Sequence, residues 1–201
     1  MSTIENVAQG SLLVRPLERT DISQMQKWQR HTDPLFTPYN VPVLTPEREE
    51  TFWQYWASRP ATISLGGFLG DRFIAHMLLR DYDPQAGTAD LGISLDPAYL
   101  GQGLGTVLLR LMRKLARETY GIEEITLEVA GYNERAMRAY RAAGFVETGR
   151  RWMSWDTPID FRALLAMPEH RGLGEFVRVD NGYMIVLVRM SATSRTPAEN
   201  L

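Results

Sequence analysis

The chain has 201 residues, of which 44% are hydrophobic and 23% charged, and its formal net charge at pH 7 is -2. This composition is typical of one globular domain, and a charge so close to neutral provides no positive field that would attract nucleic acid. Cysteine is absent and the three histidines form no paired motif, which excludes disulfides and thiolate catalysis and predicts no metal site. No apolar run approaches the roughly 18 residues of a membrane span, and residues 1–10 lack the features of a signal peptide. We therefore expect a soluble, cytoplasmic protein without a nucleic-acid or membrane partner.

The first half of the chain predicts a strand, two helices and three further strands. Apolar alternation predicts the first strand over residues 12–17, and Ile22, Met25 and Trp28 follow at helical spacing. A second helix should begin at Thr45-Pro46-Glu47, because threonine caps a helix, proline suits its first turn and glutamate favours its positive end. The three strands should cover residues 61–69, 72–80 and 88–96, and the turn-like sequences between them predict antiparallel neighbours.

The second half predicts alternating helices and strands. A helix over residues 104–119 carries its apolar side chains on one face, with helical spacing. A strand over residues 124–129, a helix from the Asn133 cap to about residue 143, and a strand over 145–155 should follow. The pattern then predicts an insertion over residues 156–180 with a short helix at 161–167, a last strand over 183–190, and a disordered tail over 191–201. Residues 1–190 should form a single domain.

The sequence Y-L-G-Q-G-L-G-T at residues 99–106 predicts a phosphate site at the start of a helix. Unpaired backbone N–H groups and the helix dipole stabilise an anion there, and glycines let a bulky phosphate approach. The loop lacks the G-K-[ST] of a nucleoside-triphosphate site, and its glycine spacing and preceding antiparallel strands do not fit a dinucleotide fold.

Two motifs resemble those of the GNAT superfamily of N-acetyltransferases. Asp96-Pro97-x-x-x-Gly101-x-Gly103-x-Gly105-Thr106 is similar to the acetyl-coenzyme A pyrophosphate loop of that family, and Asn133-x-x-Ala136-x-x-x-Tyr140-x-x-x-Gly144-Phe145 is similar to its second motif. Together they span residues 91–145. The resemblance implies an α/β (α+β) fold with a mixed, mostly antiparallel central sheet of about seven strands flanked by helices.

The resemblance also implies acetyl-coenzyme A as the cosubstrate, with no metal. The groups expected to bind it are the backbone N–H groups of Gln102, Gly103, Leu104, Gly105 and Thr106, together with Leu95, Asn133 and Tyr140. Leu100 departs from the family pattern, which usually has Arg or Gln at that position, so Gln102 is the side chain available to replace the missing contact.

The implied reaction is direct attack of a primary amine on the acetyl thioester in a ternary complex. An alkylamine has a pKa near 10.4 and must lose a proton before it attacks, so a general base is expected. Asp90 stands where many relatives carry glutamate and is the first candidate, with Glu128 on the next strand as the alternative; Asp90 could instead be a solvated strand-end carboxylate. Tyr140 is expected to protonate the departing thiolate, or else to be a packed tyrosine.

The acceptor is expected to be a small-molecule amine or a protein N-terminus. Aromatic residues are the candidates for lining its cleft, with help from the insertion: Trp28, Phe36, Tyr39, Phe52, Trp53, Trp56, Trp152 and Trp155. Those at helical spacing could instead belong to the core. Two other interpretations stay open. The chain could be a catalytically impaired acetyl-coenzyme A-binding module, or a dimeric scaffold, with a homodimer formed by pairing of residues 183–190 across subunits.

Overall fold

The computed structural model describes residues 2–8, 10–43, 45–57, 59–156, 159–179 and 182–193. In these residues a mixed and mostly antiparallel sheet is flanked by helices, as the family resemblance implies, but the sheet has nine strands rather than about seven. The strands are β1 Thr3–Val7, β2 Gly10–Pro16, β3 Ile63–Leu69, β4 Arg72–Asp83, β5 Thr88–Leu95, β6 Glu124–Ala130, β7 Val146–Ser154, β8 Val177–Val179 and β9 Tyr183–Thr193. The α-helices are α1 Pro46–Ala57, α2 Leu104–Tyr120, α3 Glu134–Ala142 and α4 Phe161–Leu165. None of the helices in this part of the chain has the length and apolar character of a membrane span.

Three local predictions were wrong. Strands β1 and β8 were missed because they are short or polar and are stabilised by pairing with β2 and β9. The helix expected after residue 20 is a 3-10 helix, Arg19–Lys27, although Ile22 and Met25 are buried as its spacing predicted. Strand β9 continues to Thr193, so residues 191–193 belong to the sheet rather than to a disordered tail. Residues 194–201 of that predicted tail lie outside the described residues.

The sheet order is β1-β2-β3-β4-β5-β6-β9-β7, with β8 also beside β9. One sheet face packs against α2 and α3, whose buried residues include Leu108, Met112 and Met137. The first 3-10 helix and α1 cover part of the other face through Ile22, Met25, Trp28 and Trp56. The sequence pattern therefore predicted the buried stripe of α2 correctly.

The 156–180 insertion is part of the core in its described residues. Phe161, Leu164 and Val177 pack with Ile185 and Leu187 of β9 in a separate cluster. Residues 168–175, predicted to be irregular, form a 3-10 helix between α4 and β8. The insertion thus covers the sheet beyond the region that α1 covers.

The last strand leaves no edge for pairing across subunits. One edge of β9 pairs with β7, from Met184 to Ser191, and the other pairs with β8 and then with β6. A dimeric scaffold formed through residues 183–190 is therefore contradicted, because those backbone groups already have partners in the same chain.

Strands β5 and β6 are paired only over a short parallel stretch. Thr88, Ala89 and Asp90 face Glu124, Ile125 and Thr126, and no pairing between the two strands continues beyond them. The two strands therefore separate in the middle of the sheet. The candidate active site lies at this gap.

Candidate active site

The glycine loop forms a tight connection between β5 and α2. The Oδ1 atom of buried Asp96 accepts hydrogen bonds from the backbone N–H groups of Ala98 and Gln29, each at 3.0 Å. Gly101 and Gly103 have φ values of 76° and 78°, in the left-handed region that glycine tolerates. Gly103 is the N-cap of α2 and no side chain caps the first turn. The loop therefore presents helix-start N–H groups that no side chain occupies, which is the arrangement that binds an anion.

A cavity of about 720 Å³ runs from this loop into the gap between β5 and β6. Its first end, the glycine end, is lined by Gly101, Gly103, Gly105 and Thr106. Its middle is lined by residues 91–95 of β5, residues 128–130 of β6 and one side of α3. Its opposite end, the aromatic end, is lined by His31, Tyr39, Arg135 and Trp155.

Most residues predicted to bind the cofactor line this cavity. The predicted residues that line the cavity are Leu95, Gly103, Gly105, Thr106, Glu128, Asn133 and Tyr140. Leu104 lies in the core, where its side chain is buried. The Gln102 side chain donates a hydrogen bond to the Ala98 carbonyl at 2.8 Å and does not line the cavity. Leu100, the departure from the family pattern, lines it.

Tyr140 reaches the wall because Asn133 fixes the start of α3. The Asn133 Oδ1 atom accepts from the Ala136 N–H at 3.2 Å, as predicted for an N-cap. Tyr140 lies two turns further on, buried, with its ring edge-on to Phe145 at 5.8 Å. Burial raises the pKa of the Tyr140 hydroxyl above its ordinary value, so the side chain keeps its proton at neutral pH.

Both carboxylates predicted as bases are in ion pairs. Asp90 pairs with Arg80 on β4 and also accepts a hydrogen bond from Thr126 at 3.3 Å, and it is not part of the cavity wall. Glu128 lines the cavity, but Arg151 binds both of its oxygens, at 2.8 and 2.7 Å. This hydrogen-bonded pair lowers the pKa of Glu128, which makes the carboxylate a weaker base.

His31 is a titratable group of the wall that the sequence analysis did not single out. The side chain of Asn40 bonds the backbone N–H and carbonyl of His31, at 2.6 and 3.1 Å, and so holds the loop. Burial, followed by the nearby charge of Arg135, lowers the pKa of the imidazole below its ordinary value. His31 is therefore neutral at pH 7. The only signal in the sequence was its position before a loop rich in proline and aromatic residues.

The aromatic residues predicted to line a cleft divide into two groups. Tyr39 and Trp155 line the cavity, and Phe36 lies behind His31 with ring centroids 5.8 Å apart. The others lie elsewhere: Trp28, Phe52, Trp53 and Trp56 pack in the core beneath α1, and Trp152 packs against Arg178. For Trp28, Phe52, Trp53 and Trp56 the core alternative is the outcome, because their spacing turns them toward the sheet, and Trp152 on β7 does not line the cavity. The described residues of the insertion also contribute no wall residue.

Among the residues with described positions, no group of three or more His, Asp or Glu side chains could hold a metal ion.

The family model described as "Acetyltransferase (GNAT) family" matches residues 23–145 of the chain. Both sequence motifs lie inside that span.

Solved structures share the fold along nearly the whole chain. Spermidine N-acetyltransferase from Vibrio cholerae, in complex with CoA and spermine, is 18% identical with a TM-score of 0.65, covering 90% of this chain and 95% of its own. RimJ from Mycobacterium smegmatis, in complex with CoA-disulfide, is 12% identical with a TM-score of 0.67, covering 96% of this chain and 87% of its own. A GNAT-family acetyltransferase from Streptococcus pneumoniae is 21% identical with a TM-score of 0.58, covering 90% of this chain and 99% of its own.

Proposed function

The chain belongs to the acetyltransferase (GNAT) family, and we propose that it transfers the acetyl group of acetyl-coenzyme A to a primary amine, by direct attack in a ternary complex. The observation that carries this proposal is the cavity that joins the glycine end, through the gap between β5 and β6, to the aromatic end. Such a cavity lets the two substrates enter from opposite ends and meet in the middle of the sheet.

The glycine loop fits the pyrophosphate of coenzyme A. A Cβ atom added at Gly101 or Gly103 would meet no other atom within 4 Å, so the loop is unobstructed at these two residues. The backbone N–H groups of residues 102–106 would bind the phosphates, and Leu95 and Asn133 would contact the rest of the cofactor. Bound acetyl-coenzyme A supplies the acetyl thioester.

Tyr140 is the proposed acid. It keeps its proton at neutral pH, lines the middle of the cavity and is withdrawn from solvent. It can therefore donate its hydroxyl proton to the sulfur that leaves as the amide bond forms.

His31 is the base that the geometry favours. It is neutral at pH 7, it lines the aromatic end, and it can accept the amine proton directly or through a water. Asp90 and Glu128 remain candidates from the sequence, but each must first release the arginine that binds it.

A thiol-release assay tests the proposal. Wild-type protein and acetyl-coenzyme A are mixed with polyamines, amino acids, aminoglycosides and peptides with free N-termini, and free coenzyme A is measured with a thiol reagent. Release that depends on one amine class supports the proposal. Thermal stabilisation by acetyl-coenzyme A without release for any amine favours the impaired binding module instead, and absence of both contradicts any coenzyme A function.

A further inference from the structure

The aromatic end carries one arginine without a carboxylate partner in the described part of the chain. Arg135, in the first turn of α3, is half-buried and forms no salt bridge with any described residue. Its guanidinium lies over the ring of Phe36, 5.0 Å from the ring centroid. This contact places the guanidinium beside the loop that carries His31 and Tyr39.

Two of the three carboxylates near this end are bound by arginines. Arg151 binds both oxygens of Glu128, and Arg80 pairs with Asp90. The third, Asp33, lies on the same loop as His31; it accepts a hydrogen bond from the Leu35 N–H at 2.9 Å and has no cationic partner among the described residues, but it does not line the cavity. A second ammonium group on an acceptor would therefore find no unpaired carboxylate among the described wall residues.

Hydrogen-bond donors, by contrast, are in excess. The indole Nε1 of Trp155 and the Nε of Arg80 belong to wall residues, are buried, and have no acceptor within bonding distance. The Arg80 guanidinium lies over Gly92, with its Cζ 3.8 Å from the position that a Cβ atom would take there. Buried donors without acceptors are costly, and a ligand with anionic oxygens would relieve that cost.

We propose that the acceptor is a small primary amine that also carries a carboxylate, such as an amino acid, and that Arg135 binds the carboxylate. This inference rests on the proposed acetyl transfer and names its substrate class. An arginine fork is suited to two carboxylate oxygens. The apolar part of such an acceptor would pack on Tyr39 and Trp155. Polyamines, which carry several ammonium groups and no anion, do not match this wall.

The test compares amines that differ only in the carboxylate. Phenylalanine, phenylalaninamide and 2-phenylethylamine, and separately leucine and 3-methylbutylamine, are titrated by calorimetry into full-length protein saturated with coenzyme A; spermidine and a peptide with a free N-terminus complete the set. Binding is compared first, because removing the carboxylate also changes the amine pKa and therefore the rate. We expect the amino acid of at least one pair to bind at least tenfold more tightly than its partner without a carboxylate.

Arg135→Gln should abolish that preference, while Arg135→Lys should keep part of it because the charge remains. Arg141→Gln is the matched control: it removes a charge from the same helix, at a residue that pairs with Glu147 outside the cavity, and should leave the preference unchanged. Coenzyme A affinity, measured for each variant, reports whether the fold and the glycine end are intact.

The outcomes separate this inference from the proposed function. Equal or tighter binding of the amines without a carboxylate, binding of spermidine or of the peptide alone, or binding of none of these amines overturns the carboxylate proposal. If thiol release with such amines still occurs, acetyl transfer stands and only the substrate class is wrong. If the protein neither binds coenzyme A nor releases thiol with any amine, the proposed function fails, and this inference fails with it.

Discussion

The two ends of the cavity are built differently. The glycine end comes from one continuous stretch, residues 95–106, and presents backbone groups whose positions follow from glycine geometry and a helix start. The aromatic end is assembled from side chains of the 28–40 loop, α3 and the residue after β7. The difference teaches that a short sequence motif is enough to specify a site made of local backbone, whereas a site made of distant side chains depends on how the whole chain folds.

The largest expected effect tests the backbone end. Gly103→Val should lower the affinity for acetyl-coenzyme A by about 100-fold or more, because a β-branched residue is strained at a φ of 78° and would distort the loop proposed to bind the phosphates. Calorimetric titration measures this. Gly149→Val, on the exposed strand β7 with open space around it, is the control and should bind normally. Unchanged affinity of the Gly103 variant would show that the loop does not hold the phosphates.

The next effect concerns the middle of the cavity, where the two ends meet. Tyr140→Phe should lower kcat at saturating acetyl-coenzyme A by about 100-fold, with little change in the affinity for coenzyme A, because it removes only the proton donor. Steady-state thiol release measures both quantities. Tyr120→Phe, which removes a hydroxyl at the far end of α2, should have no effect, and an equally active Tyr140 variant would end its assignment as the acid.

His31→Asn tests the aromatic end alone and should lower kcat/KM by about 100-fold. Because the pKa of His31 lies below its ordinary value of 6.5, wild-type activity should fall as the pH drops through that pKa, and the variant should lose this acidic limb. Affinity for coenzyme A should not change. Asp90→Asn and Glu128→Gln are measured beside it, and if either of them flattens the limb while His31→Asn retains it, that carboxylate is the base.

The smallest effect concerns the core beneath α1, outside the cavity wall. His76 is buried against Trp56, with ring centroids 4.0 Å apart, and its Nε2 lies 2.9 Å from the Ser64 hydroxyl. Burial lowers the pKa of His76 to about 3. Between pH 6.5 and pH 3 the His76 imidazole is protonated in the unfolded chain but neutral in the folded chain. The free energy of unfolding should therefore fall by about 1.4 kcal/mol for each unit that the pH drops in this range.

Urea denaturation at pH 7 and pH 5 measures this loss. His76→Gln keeps a polar partner for Ser64 without a titrating ring and should show a flatter pH dependence. His170→Gln, a histidine on the 3-10 helix Pro168–Glu175, is the control. A wild-type slope equal to that of His76→Gln would contradict the prediction.

Much of the architecture was predictable because its signals are local. The apolar stripe of α2, the Asn133 cap of α3 and the turns around β4 each depend on neighbours in the sequence, and each was confirmed. Strands β1 and β8 were not predictable, because they are stabilised by backbone pairing with β2 and β9, and this pairing exists only in the folded chain. The sequence also could not tell that Trp28 belongs to the core and Tyr39 to the cavity wall, because those positions too depend on residues far away in the chain.

By itself the sequence identified two motifs that resemble the acetyltransferase family, and it predicted the glycine loop at a helix start and the position of Tyr140 on α3, because local spacing sets where these groups lie on their elements. Only the tertiary structure decided which charges are available. It paired Asp90 with Arg80 and Glu128 with Arg151, left Arg135 without a carboxylate among the described residues, and brought His31 to the wall. The physical reason is that a side chain's charge and reactivity depend on which distant groups lie within a few ångströms, and no spacing in the sequence contains that distance.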